Sequence, residues 1–164
     1  MIFETARLAL RELTPRDLDF VAEMLADAEV MRFYPRQYSR AESREWLDRQ
    51  RARYQRDGHA LWLVADKASG RPVGQVGLVT QTVGGAAVPE VGYLIHRPYW
   101  RRGYATEAAL ATRDHAFGAL GYAGVISLIR PENVPSQGVA RKLGMAVRAR
   151  TWHGSFGHDV WSVD

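Results

Sequence analysis

The chain has 164 residues, 46% of them hydrophobic, and a formal net charge of +4. That length suits one domain with a sizeable core, and the charge is too modest to indicate a nucleic-acid binder by itself. The absence of cysteine excludes disulfides, thiolate metal sites and a cysteine nucleophile. With no secretory leader and no apolar run of membrane length, a soluble cytoplasmic protein is expected.

In chain order, Ala6 to Leu13 alternates apolar and basic residues and reads as a first strand. Thr14-Pro15-Arg16-Asp17 starts a helix, with Thr14 as N-cap, Pro15 at the first helical position and an acid in the first turn. Its apolar stripe is Leu18, Val21, Ala22, Leu25 and Ala28. The loop from Glu29 to Tyr38 is aromatic, and Phe33 and Tyr34 are either core plugs or walls of a substrate pocket. Ser39-Arg40-Ala41-Glu42 is a capping box that opens a second helix running to about Arg56. Ala41, Trp46, Leu47 and Tyr54 supply its apolar positions. Its interleaved arginines and acids read first as a solvated face, with a basic surface towards RNA as the alternative.

Ala60–Ala65 and Val73–Thr80 read as a strand hairpin, followed by a flexible link from Val83 to Ala87. Glu90–Ile95 is a strand, His96–Trp100 a turn, and a helix opens near Arg102-Gly103. Ala105, Ala108, Ala109, Thr112, Ala116 and Leu120 recur about one turn apart along it. Val125–Ile129 is a buried strand. Asn133 caps a short helix that Gly144 closes, and Met145–Arg150 with Asp159–Val163 forms a last hairpin.

The helix start at Arg101-Arg102-Gly103-Tyr104-Ala105-Thr106 carries the chemistry. Unpaired N–H groups at a helix N-terminus attract phosphate, a glycine lets a ligand approach the backbone, and two arginines add charge. The segment is a candidate pyrophosphate cradle. It is neither a P-loop nor a Rossmann fingerprint, and an ordinary arginine-rich helix start is the competing reading.

These residues resemble the acyl-CoA-binding motif of the GNAT N-acetyltransferases, whose pattern [Q/R]-x-x-G-x-[G/A] is filled by Trp100 to Ala105. Trp100 in the leading place, followed by Gly103-Tyr104-Ala105-Thr106-Glu107-Ala108, resembles the RimJ/RimL-type branch. A second segment, Asn133-Val134-Pro135-Ser136 with Arg141-Lys142-Leu143-Gly144-Met145, resembles the family pattern N-x-x-[A/S]-x-x-x-x-[E/R]-K-x-G-[F/M]. The resemblance covers nearly the whole chain. It implies a single GNAT domain over residues 1–164, an α+β (α/β) fold with a mixed, mostly antiparallel sheet and about four helices, and acetyl-CoA as cosubstrate. It places Leu94, Ile95, Arg101, Arg102, Gly103, Tyr104, Ala105, Thr106, Asn133 and Ser136 against that cosubstrate. Many family members carry a tyrosine seven residues after the asparagine to protonate the leaving thiolate. Here that position is Ala140, and Ser136 is the nearest hydroxyl.

A protonated amine cannot attack a thioester, so a base must take its proton. Glu90 is the preferred base, ahead of Glu107, His96 and His153; Glu107 at the helix start is expected to favour the dipole. A backbone N–H at the end of the Glu90–Ile95 strand would hold the oxyanion. Phe33, Tyr34, Tyr93 and Trp152 are the candidate acceptor-binding residues, and no spacing suggests a metal site. The expected function is acetyl transfer to a primary amine by direct attack in a ternary complex. The resemblance implies a protein N-terminus of the ribosomal kind as acceptor, with ribosomal association as an option. Small-molecule amines, a non-catalytic acyl-CoA-binding module and an RNA-associated module are the alternatives. Monomer and homodimer are both open.

Overall fold

Local signals set most element boundaries in the computed structural model, which describes residues 1–164. Thr14 N–H donates to Asp17 Oδ2 at 2.8 Å, and Pro15–Asp17 forms a 3-10 turn into helix α1, Leu18–Ala26. The Ser39 hydroxyl accepts from Glu42 N–H while the Glu42 carboxylate accepts from Ser39 N–H, which fixes the start of α2, Arg40–Asp57. The strands are β1 Phe3–Glu4, β2 Leu8–Arg11, β3 Leu61–Asp66, β4 Pro72–Val83 and β5 Ala86–Ile95. Helix α3, Tyr104–Gly118, leads to β6, Val125–Ile129; α4, Val134–Lys142, leads to β7, Ala146–His153, and β8, Phe156–Val163.

The eight strands make one sheet in the order β1-β2-β3-β4-β5-β6-β8-β7. Every neighbouring pair is antiparallel except β5 and β6. Side chains alternate across the sheet. On one face Trp46 Nε1–H donates to Gln75 Oε1 and the Tyr54 hydroxyl donates to the Leu61 carbonyl, which seats α2. On the other face α3 buries Ala108, Ala109, Thr112 and Ala116, and α4 is reached by the Tyr93 hydroxyl. The small side chains let α3 approach β4 and β5 closely, and the Thr112 hydroxyl is satisfied by Ala108 O at 2.8 Å. No helix is long and apolar enough to cross a membrane.

Several boundaries differ from expectation. Val83 to Ala87 is no flexible link: Val83 faces Ala86 across a two-residue turn, with Gly84 and Gly85 at φ 58° and 81°. Two successive positive φ values are what a type I′ hairpin needs, so the glycines extend β4 and β5 into one long ribbon. The first expected strand is shorter, and Phe3–Glu4 adds an edge strand that its length concealed. Ala28 lies beyond α1, Ala41 is exposed, and Leu120 is 40% exposed past the end of α3. Helix α2 instead buries Ser43 and Gln50 with Leu47 and Tyr54. The last hairpin is longer than expected, turning between His153 and Phe156.

Candidate active site

Strands β5 and β6 pair at a single register position, Glu90 with Ile126, and then diverge towards their C-terminal ends. Side chains fill the foot of the gap: the Ser127 hydroxyl donates to Val91 O and Leu128 N–H donates to Glu90 Oε2, both at 2.7 Å. His96 N–H points to β4, at Val73 O, so strand alternation turns the odd-numbered backbone groups towards the gap. The Ile95 carbonyl there accepts from Trp100 Nε1–H at 2.7 Å. Between the engaged Val91 and Ile95 carbonyls lies the Tyr93 peptide edge, facing the cleft between β5 and β6.

Glu90 stands at the foot of this cleft, on the face that carries α2. Gln81, its diagonal neighbour across the β4–β5 ribbon, donates from Nε2 to Glu90 Oε1 at 2.9 Å. The carboxylate is enclosed by protein while part of its residue surface still reaches solvent. Burial raises its pKa to about 7, against the opposing pull of the Leu128 N–H, the Gln81 amide and the Arg53 charge. At that value it can take a proton near neutrality.

At the other end of the cleft, Arg101 and Gly103 both adopt left-handed backbone, at φ 62° and 78°. Such a conformation is unstrained for glycine and strained for arginine, a pattern that concentrates at ligand clamps. The first bond of α3 runs from Glu107 N–H to Gly103 O, so the N–H groups of Gly103, Tyr104, Ala105 and Thr106 have no acceptor within the protein. Left-handed residues before a helix gather N–H groups on one side, a form suited to an anion. Arg101 and Arg102 are exposed beside them, the Arg102 guanidinium 5.6 Å from the Tyr99 ring centroid. The Tyr104 side chain is buried, so only its backbone serves this cradle. Glu107 has a larger role than favouring the dipole. It accepts from the Thr5 hydroxyl at 2.5 Å, Arg7 N–H at 3.0 Å and Arg7 Nε at 2.8 Å, tying the β1–β2 turn to the helix start. Burial would raise its pKa, but these bonds outweigh it and hold the carboxyl below its ordinary value.

Asn133 Oδ1 accepts from Ser136 N–H at 3.2 Å and caps α4 beside the same cleft. The Ser136 carbonyl accepts from the Tyr93 hydroxyl at 2.7 Å. Tyr93 is therefore turned to the α4 face, away from the acceptor side expected for its ring. Ala140 is fully buried, so its side chain makes packing contacts only. Leu94, like Glu90, points to the α2 face; Ile95 is buried on the α3 face.

Three segments meet near Glu90. Tyr34 packs edge-on against Trp46, and its phenol, with no partner in the protein, is pushed up by burial and by the Glu90 charge. The Phe33 carbonyl accepts from Arg130 Nη1 at 3.0 Å, and the Arg130 guanidinium lies 3.9 Å from the Phe156 ring centroid. The aromatic loop thus packs onto the α2 face beside Glu90. A groove of about 600 Å³ continues outwards between Arg130, Arg150, Trp152 and Phe156. Trp152 is 77% exposed at its rim, distant in character from the enclosed Tyr34. His153 meets His158 edge-on at 5.3 Å; burial, His158 and Arg53 all press its pKa down. His96 is buried against Phe20, apart from Glu90.

Sequence reasoning missed Gln81, Arg53, Arg130 and the Thr5–Arg7 pair. Only Arg53 left a trace: it follows Trp46 by seven residues, two helical turns, and so shares its sheet-facing side. The others act across distances in sequence that no local pattern reports.

Residues 7–146 match the family profile described as an Acetyltransferase (GNAT) domain. The chain is 35% identical over 142 residues to the uncharacterised protein YkkB of Bacillus subtilis (strain 168), covering 86% of this chain and 83% of that one. It is 27% identical over 146 residues to the uncharacterised N-acetyltransferase YnaD of the same organism, covering 88% and 82%. Among solved structures, an acetyltransferase from Agrobacterium tumefaciens str. C58 superimposes with a TM-score of 0.85 at 25% identity, covering 99% of this chain and 93% of that one.

Proposed function

The chain belongs to the GNAT acetyltransferase family and is an acyltransferase; from that premise we propose that it acetylates a primary amine with acetyl-CoA, using Glu90 as the general base. The observation that carries this reading is the Glu90 carboxylate, with a pKa raised to about 7 at the foot of the β5–β6 cleft. The residues fit the cosubstrate: the four free N–H groups from Gly103 to Thr106, with Arg101 and Arg102, would hold its pyrophosphate. The peptide edges from Tyr93 to Ile95, with Asn133, would hold the pantetheine. Acetyl-CoA supplies an activated acyl group.

Glu90 takes the proton from the attacking amine, directly or through one water, and the Gln81 and Leu128 bonds keep its oxygens aimed. The Tyr93 N–H, directed into the cleft, is the donor placed for a developing oxyanion. The Ser136 hydroxyl, on a turn fixed by Asn133 and Tyr93, donates to the departing sulfur. No covalent enzyme intermediate is required.

The RimJ/RimL-type motifs alone suit a protein N-terminus, and the same scaffold serves small-molecule amines, so the acceptor class turns on the site itself. The site itself favours an acceptor that is not a polycation, because Arg53 and Arg130 stand with aromatic walls around Glu90, and Glu132 is engaged by Arg130. The test is acetyl-CoA binding by calorimetry together with transfer assays. Gly103→Glu puts a carboxylate at a left-handed position where even a Cβ would lie 3.4 Å from Arg7 Nη2. It should weaken acetyl-CoA binding at least about 100-fold, given the two charges opposed in the cradle. Retained binding in that variant, or no binding by the wild type, would overturn the cofactor site.

A further inference from the structure

Four arginines of this chain are withdrawn from full exposure: Arg11, Arg53, Arg113 and Arg130. Three have a carboxylate in ion-pairing contact, namely Asp17, Asp114 and Glu132 respectively. Arg53 has none. Its only side-chain bond is a long one of 3.4 Å from Nη1 to Gln50 Oε1. A half-buried guanidinium is costly to hold without an anionic partner, and its planar fork matches a carboxylate through two parallel bonds.

The position of Arg53 is as informative as its lack of a partner. It lies on the sheet-facing side of α2, two turns beyond Trp46, whose indole is anchored on Gln75 of β4. Its charge acts on both Glu90 and His153, from the α2 side and the hairpin side of the acceptor pocket. Burial, with the like charges of Arg49 and Arg56 on the same helix, pushes its pKa down against the more distant pull of Asp57 and Glu90, neither of which is in ion-pairing contact with it. An incoming anion would offset both the burial and the like charge. Glu90 itself does not serve as its ion-pair partner, so the carboxylate base and the guanidinium remain separate receptors for two groups of one molecule.

We infer that the acceptor is a primary amine carrying its own carboxylate, an amino-acid-like small molecule, with Arg53 receiving the carboxylate while Glu90 receives the amine proton. This rests on the transferase reading above and specifies its substrate class. The same pairing disfavours polyamines, which would meet the Arg53 guanidinium with like charge. It also disfavours a protein N-terminus, whose α-carboxyl is tied up in a peptide bond.

The test compares acetylation of free amino acids, the matching amino-acid carboxamides, N-terminal peptides and spermidine, read by thiol release and product mass. The wild type should prefer carboxylates over carboxamides by at least about tenfold in kcat/KM, the size of one charge-assisted contact. Arg53→Gln, a helix-compatible change, should bring that ratio to within about twofold, chiefly through the acceptor KM, and Arg53→Lys should restore part of it. A preference for carboxamides, peptides or spermidine, or a carboxylate preference that survives Arg53→Gln, would overturn the inference and leave the transferase reading standing. Acetyl-CoA binding with no amine of any class acetylated would overturn both.

Discussion

Glu90 and Arg53 are the two charged residues that the fold holds in environments hostile to their charge. For Glu90 the consequence is a pH dependence with a definite sign. Activity should rise through about pH 7 as the carboxylate ionises, and reach a plateau above it. Glu90→Gln should lower kcat/KM by about 100-fold or more and remove that rise, since general-base contributions are of that order. Acetyl-CoA affinity, measured by calorimetry, should change little. Stability should run the opposite way. An unfolded glutamate titrates at about 4.3, whereas Glu90 does so near 7 when folded, so its favourable contribution is complete below about pH 4 and is lost as pH rises through 7. At pH 8 the ionised, enclosed carboxylate weighs against folding by about 3–4 kcal/mol. Glu90→Gln should therefore melt above the wild type at pH 8 and level with it at pH 4, a comparison that thermal denaturation makes directly.

The start of α3 is where element-scale and residue-scale physics meet. A helix N-terminus supplies its four free N–H groups whatever its sequence, but it binds an anion usefully only if its position is fixed. Here Glu107, in the first turn, is held by Thr5 and Arg7 from the opposite end of the chain. The Arg7 guanidinium also lies over the Tyr104 ring, 4.6 Å from its centroid. Glu107→Gln should cost about 1–2 kcal/mol at pH 7, as expected for charge-assisted bonds in a half-buried setting. Because the folded pKa of Glu107 is depressed, its contribution is present above about pH 4.3 and disappears as pH falls through the folded value. The gap between variant and wild type in denaturant melts should close correspondingly in acid. The helix start itself was legible, since its glycine, arginines and small residues are contiguous. The clamp was not, because Thr5 and Glu107 are 102 positions apart.

At the scale of the molecule, Arg130 joins the α1–α2 loop, the exit of β6 and the terminal hairpin, through Phe33, Glu132 and Phe156. Those three segments form the proposed acceptor side, and none of them contributes to the start of α3. Arg130→Ala should accelerate hydrogen exchange in both the aromatic loop and the β7–β8 turn. It should also raise the acceptor KM severalfold, about the effect of losing one to two charged contacts. Acetyl-CoA binding should stay within about twofold, since the cradle packs elsewhere. Uniform loss of both affinities would mean that Arg130 supports the whole fold rather than one side of the cleft.

The sequence by itself determined what lies within a few residues along the chain. The Ser39–Glu42 box, the Asn133 cap, the strand Val125–Ile129 and the Gly103 helix start all depend on bonds between residues at most four apart or on side-chain periodicity. The Gly84-Gly85 turn carried an equally local signal that flexibility alone did not exhaust. Tertiary structure decided the remainder: which arginine of the mixed-charge helix turns inwards, how far burial raises Glu90, and where β5 parts from β6. Each of these is an electrostatic or packing property set by groups tens of residues away. Arg53, Gln81, Glu90 and Leu128 become one site only when α2, β4, β5 and β6 are brought together.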